Sequence, residues 1–213
     1  MCSNSKKVKL FIDADDTILR SSEAVIKLLN QKYGTNKTTD DWDDWGYLSI
    51  SEGKATRQDI SDLFESQEFF DIVEVYDGFE KMLDMFGDKV AVRITTKGTP
   101  QNLLCKEHFF ESRYMDEDLE VVGLDFTEHA KHMFDKSAVD MRGGICIDDR
   151  IDCLKSCNAN VKILLTNGKY KRWSRPEDAA NIENLYIAKD WDEVISIINF
   201  AMKNRFFMET LDQ

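Results

Sequence analysis

The chain has 213 residues, 42% hydrophobic and 32% charged. That length holds one sizeable core, or one core with a small accessory domain. The formal net charge of −12 disfavours long nucleic acid as a partner, because duplexes are held mainly by Lys and Arg contacts to phosphates.

No apolar run reaches the length of a membrane span, and Met1 to Lys9 carry no apolar signal segment. A cytoplasmic protein with no membrane partner is expected. The five cysteines are Cys2, Cys105, Cys146, Cys153 and Cys157. They form no CxxC pair, and no His or Cys nearby completes a zinc site around Cys153 and Cys157, so reduced thiols are expected. The sequence does not fix the oligomeric state, and a homodimer is compatible with it.

In chain order, Lys7 to Asp13 reads as a buried strand ending in acid. Residues 22–33 have apolar positions at helical spacing, with Gly34 as a stop. The aromatic segment from Thr38 to Tyr47 comes next. Arg57 to Phe70 then carries Ile60, Leu63 and Phe64 at helical spacing. Asp77 to Phe86 reads as a helix capped by Asp77 and stopped by Gly87. Strands are expected at Lys89 to Thr95, Leu119 to Leu124, Gly144 to Ile147 and Val161 to Leu165, with an edge strand at Leu185 to Ala188. Residues 100–111, Ile151 to Cys157 and Trp191 to Met202 read as helices, the last amphipathic.

Strands alternating with helices predict an α/β fold, a Rossmann-like core with a mostly parallel sheet. The stretch from about Arg20 to Val75 is too long for an ordinary crossover. It predicts a small helical cap over residues 20–75, inserted after the first strand into a core made of 1–19 and 76–213.

Ligands of such sheets bind at the carboxyl ends of the strands. The conspicuous polar residues fall there: Asp13, Asp15, Thr95, Thr96, Asp148 and Asp149. In FIDADDT, two carboxylates stand two residues apart beyond a strand end. One can attack phosphorus, and the other can protonate a leaving oxygen and then activate water. A solvated acidic turn is the plainer reading of that motif alone. Thr95 and Thr96 end a second strand, where hydroxyl and backbone N–H groups can hold a phosphoryl oxygen. Lys136, with Lys131 as its competitor, can offset the charge of a phosphoryl group beside a carboxylate. Asp148 and Asp149 end the apolar run GGICIDD. Adjacent buried acids repel, and Mg²⁺ relieves this. Each signal is modest alone, while the four together in this order are specific.

These residues resemble the haloacid dehalogenase superfamily of phosphotransferases. The resemblance implies Asp13 as nucleophile and Asp15 as acid/base. Thr95 and Lys136 would hold phosphate. Mg²⁺ would be held by Asp13, the Asp15 backbone carbonyl and Asp149, with Asp148 in support. The segment FESQEFFDIVEVYDG, Phe64 to Gly78, and DKSAV before IDDR resemble the 5′(3′)-deoxyribonucleotidase branch more closely. That resemblance implies a small phosphate monoester, a nucleotide, as substrate, with the base between cap aromatics. Phe64, Trp45, Tyr47, Thr96 and Lys97 are the candidate substrate-binding residues. Trp42, Phe69 and Phe70 are expected in the core, and Trp173 at the surface. The chain departs from the branch at Asp16 and Thr17, at Ser21 where an aromatic is expected, and at Phe134 where an arginine precedes the lysine. Two alternatives stand beside this reading. One is a phosphatase of the same superfamily acting on a sugar phosphate or a nucleic-acid 3′-phosphate. The other is a non-catalytic phosphate-binding module.

Overall fold

The computed structural model describes residues 7–44, 46–125, 135–169, 171 and 174–204. Trp45, Lys131, Phe134 and Trp173 lie outside them. The strands are β1 (Val8–Ile12), β2 (Val90–Gly98), β3 (Leu119–Asp125), β4 (Ile145–Asp148), β5 (Val161–Leu165) and β6 (Leu185–Ala188). They pair in parallel as one six-stranded sheet in the order β3-β2-β1-β4-β5-β6, so β1 lies centrally. Central parallel strands are covered on both faces, which is why β4 is buried at every residue.

Strand register aligns the tips of β1 and β4 with the middle of β2. Ile12 pairs with Ile94 on one side and Ile147 on the other. The next residues, Asp13, Thr95 and Asp148, therefore lie level across three neighbouring strands, at the ends of β1 and β4 and within β2. The Asp13 amide extends the ladder, donating to the Ile147 carbonyl at 2.9 Å.

The helices are α1 (Ser21–Tyr33), α2 (Arg57–Phe64), α3 (Gln67–Ile72), α4 (Asp77–Phe86), α5 (Pro100–Arg113), α6 (Ile151–Ser156) and α7 (Trp191–Lys203). Gly34 ends α1 in the left-handed conformation, φ 68°. The expected continuous helix from Arg57 to Phe70 is broken in two. The Ser66 hydroxyl accepts from the Phe69 amide at 3.1 Å, and this local cap starts a new helix instead of continuing the old one. Asp77 stands inside α4 rather than capping it; Tyr76 is the cap residue. Thr99 caps α5 ahead of Pro100, a proline at a first-turn position where no amide is needed.

Alternate residues of each strand bury into opposite faces. Leu10, Ile12, Val92, Ile94, Ile147 and Ile163 join one large cluster with α1, α4 and α7. Phe11, Cys146 and Leu164 join a smaller one with Ile151 and Leu154 of α6. The segment between β1 and α4 holds α1, α2 and α3, and its apolar residues belong to the large cluster. Its two ends meet beside the strand tips: the Arg20 amide donates to Glu74 O at 2.8 Å, and the Tyr76 amide to Ile18 O at 2.9 Å. Among the described residues, no helix is long and apolar enough to cross a membrane.

Candidate active site at the strand tips

The tips of β1 and β4, beside Thr95 and Thr96 of β2, gather carboxylates and lysines into one partly enclosed cluster. Lys136, 1% exposed, places its ammonium 2.6 Å from Asp13 Oδ1 and 2.7 Å from Asp148 Oδ2. It also donates to the Thr95 carbonyl at 2.7 Å. Asp148 is fully engaged, since its other oxygen accepts from the Arg150 amide at 2.8 Å. Asp15 is held at both oxygens, by the Ser21 hydroxyl at 2.7 Å and by Lys106 Nζ at 2.6 Å. Lys106 also donates to the Thr96 hydroxyl at 2.8 Å and to the Lys97 carbonyl at 3.3 Å. Lys171 bridges Asp16 at 2.7 Å and Asp149 at 2.8 Å.

Sequence reasoning singled out Asp13, Asp15, Thr95, Thr96, Lys136, Asp148 and Asp149, and these residues lie together. Lys97 stands beside them on β2, its pKa drawn down by burial. Tyr47 and Phe64 belong to an aromatic row within the segment inserted between β1 and α4. The Tyr47 ring stacks on Trp42 with centroids 4.7 Å apart, and its hydroxyl lies 3.2 Å from Ser22 Oγ. Phe64 sits between Tyr47 and the buried Phe69. Trp42 and Phe70 pack partly buried against the large cluster.

Two lysines escaped the sequence reading. Lys106 had a signal: Asn102, Lys106 and Phe110 recur every four residues and form the buried stripe of α5. A lysine on such a stripe must meet an acid. Lys171 had none, because it lies in irregular chain and its partners are 22 and 155 residues away.

The electrostatics of the cluster are unbalanced. These ion pairs join five carboxylates, Asp13, Asp15, Asp16, Asp148 and Asp149, to three ammonium groups. Burial pushes the Asp13 carboxyl up to about 6, with Asp148 and Asp15 adding to the rise and Lys136 opposing it. Burial likewise raises Asp148, which Asp149 raises further, and Asp149, which Asp16 and Asp13 raise further. Burial alone would lower Lys136 and Lys171, but their carboxylate partners outweigh it and hold both above the usual lysine range. Asp13, Asp148 and Asp149, chiefly through burial, and Lys136 and Lys171, through their carboxylate partners, all shift toward their protonated forms.

The donor set fits a hard divalent cation. Asp13, Asp148 and Asp149 each offer an oxygen, all within 4.8 Å of one another. Among the described residues, Asp13 and Asp149 each engage one oxygen through a lysine, leaving the other to face an ion. The Thr95 hydroxyl is buried and has no partner among the described residues, which suits an acceptor arriving from outside.

No protein-family model matches the chain, and no curated protein does either. Solved structures do. A predicted phosphatase from Clostridium acetobutylicum aligns with TM-score 0.59 at 18% identity, over 92% of this chain and 100% of that one. The haloacid dehalogenase-like hydrolase SP0104 of Streptococcus pneumoniae gives TM-score 0.55 at 14% identity, over 90% and 98%. The magnesium-bound HAD-hydrolase YfnB of Bacillus subtilis gives 0.53 at 14%, over 92% and 100%. At such identities the likeness is one of architecture: the chain has the α/β fold of the haloacid dehalogenase-like hydrolases.

Proposed function

We propose that the chain is a Mg²⁺-dependent phosphomonoesterase working through an aspartyl-phosphate on Asp13. Its proposed substrate is a (deoxy)nucleoside monophosphate, as for a 5′(3′)-deoxyribonucleotidase. The observation that carries the reading is the clustering of Asp13, Lys136, Asp148 and Asp149 at level strand tips, with Asp15 held two residues on. Mg²⁺ held by Asp13, Asp149 and the Asp15 carbonyl, with Asp148 in support, would supply the charge that lets a carboxylate meet a phosphate. The bonding of Asp148 at both oxygens favours Asp149 as the direct ligand.

In this reading Lys136 and the Thr95 hydroxyl hold phosphoryl oxygens. Asp13 attacks phosphorus in line, the bond to the leaving oxygen breaks, and Asp15 gives that oxygen its proton. Asp15 then takes a proton from water as the water attacks the aspartyl-phosphate, releasing inorganic phosphate and restoring Asp13. Catalysis is largely positioning and charge neutralisation. Residues 20–75 form the cap that excludes water and reads the leaving group, with Thr96, Lys97, Phe64 and Tyr47 on its path. A second reading, a compact sugar phosphate, is favoured by one observation: Tyr47 is only 5% exposed and already stacked on Trp42.

Phosphate release from a panel tests this: deoxy- and ribonucleoside 5′- and 3′-monophosphates, sugar phosphates and a 3′-phosphorylated oligonucleotide, with and without Mg²⁺. Mg²⁺-dependent release, fastest from deoxynucleotides and absent in Asp13→Asn, is expected. Faster release from sugar phosphates selects the second reading. Release from no monoester in Mg²⁺ overturns both.

A further inference from the structure

The ion pair between Lys171 and Asp149 gives the site a third lysine, which has no part in the proposed phosphoryl transfer. We propose that Lys171 is a resident counter-charge of the metal site: it weakens the hold of Asp149 on a divalent cation and strengthens the hold of the loaded site on an anion. This rests on the reading of Asp13 and Asp149 as cation ligands.

Lys171 is built in. Its ammonium lies 2.7 Å from Asp16 Oδ2 and 2.8 Å from Asp149 Oδ2, and 5.0 Å from the centroid of the Trp42 ring. Asp16, its second partner, is fixed in turn. It adopts the left-handed conformation, φ 56°, and its side chain accepts from the Ser22 amide at 2.9 Å and from the Ser22 hydroxyl. Its carbonyl accepts from the Asn167 side chain at 2.8 Å. A non-glycine residue held in that conformation is costly unless its surroundings impose it. Here they aim one carboxylate at one ammonium.

The charge count gives the arrangement a consequence. Among the groups joined by these ion pairs, five carboxylates meet three lysines, an excess of two negative charges that one divalent cation would offset. Without Lys171 the excess is three. The cation would then bind more tightly, but the loaded site would be one unit more negative and would hold a phosphate less well. Without the Asp16 charge the excess is one, and both effects reverse. Charges this close in a partly buried site interact strongly enough to change affinities by about tenfold or more. A merely structural lysine would, when lost, weaken both ligands together.

Isothermal titration of the full chain with Mg²⁺, and then with inorganic phosphate at saturating Mg²⁺, distinguishes these outcomes. Lys171→Met is expected to bind Mg²⁺ about tenfold more tightly and phosphate about tenfold more weakly than wild type. Lys171→Arg keeps both constants close to wild type. Asp16→Asn moves both in the opposite direction to Lys171→Met, and it keeps the idea falsifiable if Lys171→Met does not fold. Unchanged or weaker Mg²⁺ binding in folded Lys171→Met, or loss of both ligands together, overturns the counter-charge while leaving the phosphatase reading in place. A folded wild type that binds no Mg²⁺ overturns both.

Discussion

Asp13 is placed where a carboxylate is least comfortable. Its carboxyl is pushed up to about 6 by burial and acidic neighbours, although Lys136 lies 2.6 Å away. A carboxyl whose folded pKa exceeds its unfolded value binds more protons folded than unfolded. Its contribution to stability therefore falls as pH rises from about 4 to about 6, and the loss is complete above that window. Denaturant titrations of metal-free protein at about pH 5 and pH 7.5 are expected to show this as a difference between wild type and Asp13→Asn. The variant should be the more stable at the higher pH by about 1–3 kcal/mol, and it should turn over no substrate. A variant less stable than wild type at that pH would show that the cluster is not short of positive charge. Lys106 illustrates positioning at the same scale, being wholly buried with its ammonium 2.6 Å from Asp15. Proton donation matters most when the leaving oxygen is a poor leaving group. Lys106→Met is expected to lose about 100-fold in turnover of an alkyl phosphate but only about 10-fold with p-nitrophenyl phosphate. Equal losses on the two substrates would assign Lys106 to structure alone.

At the scale of elements, helix packing reaches the turn that carries Asp15. Helices α4 and α7 meet at Gly78, where an added Cβ would overlap the Trp191 side chain. Trp191 packs edge-on against Phe79 and donates from its indole to the Thr17 carbonyl at 3.0 Å, pinning the turn that carries Asp15. Gly78→Ala is expected to cost about 1–3 kcal/mol by overpacking, read as a lower urea midpoint, and to lower kcat as Trp191 shifts. Unchanged kcat in a destabilised variant would show that the indole contact does not govern the turn. Elements were legible in the sequence where local pattern and tertiary environment agree. Val161–Leu165 and Leu185–Ala188 fall on the expected residues because apolar runs bounded by polar turns leave little choice. The end of β2 was not legible. The strand was expected over Lys89 to Thr95, yet it runs to Gly98 because Thr95 to Gly98 pair with Val122 to Asp125 of β3. Cross-strand pairing overrides local propensity there.

For the molecule as a whole, the parallel sheet and the acids at its tips could be read in advance, because alternation and strand-end position are local properties. The counter-charges could not be read to the same extent. Lys171 meets Asp16 across 155 residues, and only the closed fold shows that the extra acid of FIDADDT is answered by a lysine. The same closure gathers more carboxylates than lysines into these ion pairs, which predicts a stability that depends on a cation. A cation that binds the folded chain alone stabilises it by RT ln(1 + [L]/Kd), about 2.7 kcal/mol at a hundredfold excess over Kd. For a chain of this size that corresponds to a rise in Tm of roughly 5–10 °C. Thermal melts in excess Mg²⁺ and in EDTA are expected to differ by that amount for wild type. The difference should shrink to within about 2 °C for Asp149→Asn, which loses a ligand and one unit of the carboxylate excess together. Equal wild-type midpoints with and without Mg²⁺ would mean that the strand tips hold no ion, and a carboxylate nucleophile at Asp13 would then have nothing to offset the charge of its substrate beyond its lysines.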